Sequence, residues 1–163
     1  MIKTGILLVG LAFALPAPAQ STVEVTDLRC EYMTNPLGID APTPRFSWKL
    51  IDSKHTRGQK QTGYHILVAS SKSLLDKNRG DIWDSGEITS DQSVLVPFNG
   101  PALRANQDCY WKVRVADKDS RATAWSEAAR FSMGLLQPSD WKVSWIKHPD
   151  APKESHVWYR RSL

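Results

Sequence analysis

The sequence predicts an all-β fold, an antiparallel β-sandwich of about seven short strands. Three observations carry that expectation. Apolar and polar residues alternate strictly in several stretches, most clearly in Phe46-Ser47-Trp48-Lys49-Leu50 and from Cys109 to Val115. Turn-forming clusters separate these stretches, among them Asn35-Pro36-Leu37-Gly38, Asn99-Gly100-Pro101 and Asp117-Lys118-Asp119-Ser120. No segment sustains a helical apolar period for three turns, which disfavours an α/β arrangement.

The N-terminus is set apart from the rest. Lys3 supplies a positive start, Ile6 to Leu15 is almost wholly apolar, and Ala17-Pro18-Ala19 has the small-x-small pattern of a cleavage site. Residues 1–19 therefore read as a secretory signal peptide cut after Ala19, too short and wrongly flanked to span a membrane. No cysteine follows the apolar run, which argues against lipoprotein processing. The mature chain is expected to be secreted or periplasmic, with no membrane association once the leader is removed.

From Val23 to Met33 the apolar positions are Val23 and Val25, then Leu28, Cys30 and Tyr32. That change of parity near Asp27 predicts a bulge or bend. Phe46, Trp48 and Leu50 form the inward face of a second strand. Gly63 to Ser70 is a more continuous apolar strand, and Ser71 to Arg79 makes one helical turn or an irregular link. Ile82 to Ile88 reads as an edge strand with a turn inside it, and Ser93 to Phe98 as another strand. Cys109, Trp111, Val113 and Val115 then face inward while Tyr110, Lys112 and Arg114 face outward. Ala129, Phe131 and Met133 carry the last inward face.

From Gln137 the character changes. A Pro- and charge-rich stretch with Trp141, Trp145 and Ile146 reads as a linker, and Val157 to Leu163 as one strand without a partner. The expected division is a leader at 1–19, a sandwich at 20–136, and at 137–163 a linker plus the first strand of a further sandwich. A chain ending one strand into something new is expected to be incomplete.

Composition excludes several functions. The formal net charge is +4, one unit of it from Lys3, and the basic residues are scattered. No basic run is interleaved with aromatics, so nucleic acid is a poor partner. Asp84 and Glu87, around Ser85-Gly86, are the nearest thing to a carboxylate pair, but they read as a solvated Asx-type turn rather than catalysts. Asp91, Asp117 and Asp119 lack the spacing of a calcium loop. His55, His65, His148 and His156 lack metal spacing, and no cofactor is expected. Cys109 has core-facing parity and no assigned base, which argues against a nucleophile.

Two residue types leave alternatives open. Cys30 and Cys109 lie on the apolar faces of their strands, where a disulfide across the core and a pair of buried free thiols are both admissible. Of the seven tryptophans, Trp48 and Trp111 have inward parity, so these read as structural. Trp83, Trp141, Trp145 and Trp158 are weak candidates for glycan contact, with burial at a domain seam the plainer role for the last three.

The motifs add a resemblance. Trp48, the run Trp111-Lys112-Val113-Arg114-Val115 and Trp125-Ser126-Glu127 resemble the fibronectin type III (immunoglobulin-like) pattern, with Cys109 where that family places its corner tyrosine. A narrower set comes in order: Leu28 to Tyr32, Asn35 to Asp40, Pro44 to Trp48, Arg57 to Thr62, Tyr64 to Ser70, Trp83 to Gly86 and Cys109 to Val115. This set is similar to the N-terminal fibronectin-like module of secreted bacterial α-L-rhamnosidases, and Asp140-Trp141, Trp145-Ile146 and 158–163 resemble the crossing into that family's next β-sandwich. The resemblance implies a parent of the inverting glycosidase type that releases terminal α-L-rhamnose. It places the acid and base carboxylates in a helical barrel further along, so no catalytic residue carries over to this chain. The expected role is a non-catalytic accessory module packed on the parent's downstream domains. An autonomous module that binds rhamnose-containing glycans, or a surface adhesion domain, is the alternative.

Overall fold

The computed structural model describes residues 21–142. The expected leader and the expected strand at 157–163 lie outside the described residues. Eight strands and one short helix follow in the order β1 (Val23–Cys30), β2 (Arg45–Asp52), β3 (Gly63–Ala69), α1 (Lys72–Asp76), β4 (Trp83–Asp84), β5 (Ile88–Thr89), β6 (Val96–Pro97), β7 (Asp108–Ala116) and β8 (Ala129–Ser132). They form two antiparallel sheets. One has the order β1-β2-β6; the other has β4-β3-β7-β8, with β5 also on β3. This is the expected sandwich, with one strand more because the 82–88 segment pairs with β3 on both sides of its turn.

The alternation along the strands determines what is buried. Val23, Val25, Phe46 and Trp48 from the smaller sheet meet Tyr64, Ile66, Val68, Cys109, Trp111, Val113, Val115 and Phe131 from the larger one. The aromatic rings interlock: Phe46 lies 4.3 Å from Trp111 and 5.7 Å from Phe131, centroid to centroid. Such pairs add about 0.5–1.5 kcal/mol beyond their buried area. The buried Trp48 indole donates to Gln61 Oε1 at 2.9 Å, and the Gln61 amide donates in turn to Ser90 O and Gln92 O. A polar edge is thereby sealed, because a buried N–H left unpaired costs about 1–3 kcal/mol.

The bulge predicted near Asp27 is present. The β1–β2 register shifts between Thr26 and Arg29, and Asp27 has φ +48°. The strand ends at Cys30 rather than Met33. Glu31 and Tyr32 both adopt positive φ, so Tyr32 turns outward and is 60% exposed instead of continuing the inward face. The Arg45 guanidinium holds the turn by donating to both Glu31 oxygens, at 3.0 and 2.7 Å. Arg45 draws the Glu31 carboxyl below its ordinary range against the opposing effect of burial.

The strand predicted for Ser93 to Phe98 contracts to Val96–Pro97. Leu95 sits at φ +54°, and the Ser47 hydroxyl receives its N–H, which interrupts the ladder. The outer edge of β8 is covered rather than open. Ile39 N donates to Ser132 O, Ser132 N to Pro36 O and Gly134 N to Ile39 O, while Asn35 Oδ1 accepts from Arg130 N. The turn-rich Asn35–Ile39 stretch is therefore an edge guard.

Candidate functional site

The side chains with the most chemistry gather on the outer face of the larger sheet. His65 on β3 is in register with Arg114 on β7. The turn between β4 and β5 brings Asp84 and Glu87 beside them. Gly86 permits that turn at φ +61°, and its N–H donates to Asp84 Oδ1 at 2.9 Å, the expected Asx-type bond. Close approach of β5 is possible because Gly63 has no Cβ; one would come within 2.9 Å of Ile88 O.

His65 Nε2 lies 2.6 Å from Asp84 Oδ1, and Arg114 Nη2 lies 3.3 Å from His65 Nδ1 and 2.5 Å from Glu87 Oε1. An arginine has no acceptor, so Nδ1 receives its proton and Nε2–H donates to Asp84. The Trp125 indole covers this row: Arg114 stands 4.8 Å and Lys112 4.9 Å from its ring centroid, and the His65 ring lies 5.0 Å away. Lys112, expected to point outward, does so and is nevertheless only 7% exposed. Helix α1 and Trp125 roof the second sheet face, and Lys112 Nζ donates to Leu75 O and, at 2.6 Å, to Asn78 Oδ1. Burial pushes its pKa below the ordinary lysine value.

An Asp–His pair beside a serine invites comparison with a nucleophilic triad, but the connections forbid it. Ser85 Oγ donates to Gly86 O and accepts from Ile66 N, and the second imidazole nitrogen is taken by Arg114. A glycosidase of the two-carboxylate type needs an acid whose pKa is raised and open space for sugar and water between its carboxyls. Partial burial pushes Asp84 up, yet the Gly86 N–H and His65 outweigh it and leave the carboxyl below its ordinary value. The imidazole occupies the space between Asp84 and Glu87. These side chains are 54% and 61% exposed, so the cluster is a solvated brace for the sheet.

Trp83 is half-buried, packs against the core and meets the Phe98 ring edge-on at 5.1 Å. Trp141 is half-exposed on the wall of a groove of ≈ 890 Å³ at the end of the described chain. Trp145 and Trp158 lie outside the described residues. A second groove, ≈ 580 Å³, runs between β1 and 124–129 at the open side of the sandwich. Among the described residues no group of three or more His, Cys, Asp or Glu side chains is gathered as a metal site would require.

Cys30 and Cys109 are fully buried free thiols at the close approach of β1 to β7. Burial, with lesser contributions from Asp108 and Asp81, pushes Cys109 up to about 12; burial, Glu31 and Cys109 push Cys30 higher still. Neither is a reactive thiolate near neutral pH. With packed thiols the position of the corner tyrosine is filled by apolar contact.

His65, Arg114 and Lys112 were the part of this face that sequence reasoning missed. Their outward parity was legible, but the register that brings β3, β4 and β7 together was not.

Fold and site together define an immunoglobulin-like β-sandwich whose polar side chains brace the sheets. The model of the Rha78A-like N-terminal immunoglobulin domain matches residues 25–137, and the chain belongs to that family. An α-L-rhamnosidase of Streptomyces avermitilis is 39% identical over 146 residues, 85% of this chain and 14% of the relative. One of Formosa agariphila is 36% identical over 142 residues, 86% of this chain and 15% of the relative. Among solved structures, the S. avermitilis α-L-rhamnosidase complexed with L-rhamnose superposes with TM-score 0.72 at 41% identity, over 78% of this chain and 12% of that one. The α-L-rhamnosidase of Dictyoglumus thermophilum also gives TM-score 0.72, at 36% identity, over 78% of this chain and 14% of that one. The chain thus spans about one-seventh of the curated relatives it matches, and the family model it fits is that of an N-terminal domain.

Proposed function

We propose that this module serves an exported α-L-rhamnosidase, a glycoside hydrolase of the inverting type that releases terminal α-L-rhamnose, and that it acts there as a scaffold for the downstream domains. The observation that carries the reading is the coverage. Identity of 36–39% runs through 85–86% of this chain while only 14–15% of each relative is spanned. The chemistry of the outer face agrees with it: Asp84 and Glu87 are tied to His65 and Arg114, and Asp84 is more acidic than usual, the reverse of what a general acid needs.

The test is direct. The purified chain is expected to release no rhamnose from an aryl α-L-rhamnoside at any enzyme concentration, and turnover that survives repurification would overturn the reading. Export is part of the same proposal. Expression in a bacterial host with a Sec pathway is expected to yield a mature N-terminus at Gln20, read by N-terminal sequencing; retention of Met1 in the secreted protein would refute it.

A further inference from the structure

The open side of the sandwich holds two backbone edges with a gap between them. β1 pairs with β2 on one side, its regular run at residues 23–26 ending at the bulge, and among the described residues no strand pairs with its other side. Across the gap, the segment before β8 is tied to β7 by Thr123 N, which donates to Val115 O, and by Ser126 N, which donates to Val113 O. Ala124, Trp125 and Glu127 line the gap, and their N–H groups find no acceptor among the described residues. The gap is the groove of ≈ 580 Å³. It is closed at one end where Ser21 N donates to Ala122 O at 3.5 Å, and at the other where Asn35 Oδ1 accepts from Arg130 N at 2.8 Å.

The lining divides by depth. Val23, Val25 and Ala129 are buried at the floor, while Glu24 and Glu127 are exposed on the two rims. The chain has a formal net charge of +4, yet no lysine, arginine or histidine lines this groove. Its third acid, Asp27, is answered by Arg29 at 3.0 Å and Lys49 at 2.7 Å. Glu24 and Glu127 have no ion-pair partner among the described residues. A peptide strand laid along β1 offers its backbone to the two edges, with alternate side chains directed to the apolar floor and to the acidic rims. We propose that this groove takes an extended segment of another polypeptide, in which small apolar residues alternate with lysine or arginine. Four such residues beside 23–26 span about 13 Å. Main-chain bonds supply the affinity, and Glu24 and Glu127 select for positive charge. A sugar is the poorer fit, because the one aromatic ring of the lining, Trp125, already carries Arg114 and Lys112. This site is independent of the scaffold role and of the rhamnose-release assay that tests that role.

Titration of the full chain with an acetylated hexapeptide that alternates lysine and valine tests this, read by amide exchange resolved by NMR. Exchange at Trp125 and Glu127 is expected to slow about tenfold or more at saturation. A hexapeptide of the same composition with its lysines in one block keeps the charge and loses the alternation. It is expected to bind about tenfold more weakly or worse. Glu24→Lys with Glu127→Lys reverses both rims at exposed positions. That variant is expected to weaken the alternating peptide about tenfold or more, less so at high salt, with the thermal midpoint unchanged. Asp91→Lys, exposed and outside the groove, is the charge control and is expected to leave binding unaltered. Absence of saturable protection at millimolar peptide, equal binding of the blocked peptide, or equal affinity in the doubly reversed variant would overturn the proposal. Protection that grows with protein concentration alone would assign the edges to a second copy, and protection by rhamnose oligosaccharides in place of the peptide would assign the groove to sugar; either refutes a basic strand as the occupant.

Discussion

The two faces of β7 are covered by different chemistry. Inward, Cys109, Trp111, Val113 and Val115 pack against the smaller sheet within the hydrophobic core. Outward, Tyr110, Lys112 and Arg114 lie under α1 and Trp125, where two cations share one indole and each finds further partners. The inward face is held by area and shape, which are indifferent to protonation and salt. The outward face is held by directional contacts that are not. One strand thus carries a tolerant interface and a conditional one, separated by the thickness of a backbone.

Breaking the inward face has the largest expected effect. Trp111→Ala should cost about 3–5 kcal/mol, measured as a fall in the urea midpoint. Trp111→Phe should cost well under half of that, because the indole Nε1–H has no acceptor among the described residues and its removal releases an unpaired buried donor. If the two substitutions were equally damaging, ring volume would not be what holds that face.

On the outward face Trp125→Ala should cost about 2–3 kcal/mol, the sum of partial burial and two cation–π contacts of roughly 0.5–1 kcal/mol each. The salt dependence distinguishes the faces: raising ionic strength should narrow the gap between Trp125→Ala and wild type while leaving that of Trp111→Ala in place.

Acid sharpens the comparison further. Asp117, at the end of β7, is buried, which by itself would raise its pKa. The N–H groups of Arg121 and Asp119, the Ser21 hydroxyl and the Arg121 charge outweigh burial and leave it below the ordinary 3.8. Its folded pKa is therefore lower than its unfolded one. It contributes stability that is fully present above 3.8 and is lost as pH falls through the folded value. The thermal midpoint should hold between pH 7 and 5 and drop below pH 4, and Asp117→Asn, costing about 1–2 kcal/mol at neutrality, should flatten that drop. The smallest effect is expected from Asp84→Asn with Glu87→Gln, below about 1 kcal/mol, because both carboxylates face water. A larger loss would mean that the His65–Arg114 brace is structural in its own right.

Much of the fold could be read in advance. The parity break at Asp27, the inward positions of β2 and β7, the turn inside 82–88 and the placing of Trp48 and Trp111 all follow from side-chain period and turn chemistry. The failures are equally specific. Tyr32 leaves the core because two consecutive positive φ values rotate it out, and Leu95 shortens β6 in the same way. Backbone conformations of this kind are adopted only when distant partners hold them, here Arg45 for the first turn and Ser47 for the second.

What the sequence by itself determined is the set of strands and which of their faces is apolar, because the two-residue period is a local property of the backbone and the hydrophobic effect acts on each residue wherever it is placed. Only the tertiary structure decided register and roofing: that His65 meets Arg114, that Lys112 is buried although it points outward, that Asn35–Ile39 guards the β8 edge and that Leu103 and Leu135 share a groove. Each of these joins residues far apart in the chain, so each depends on how sheets stack and loops close.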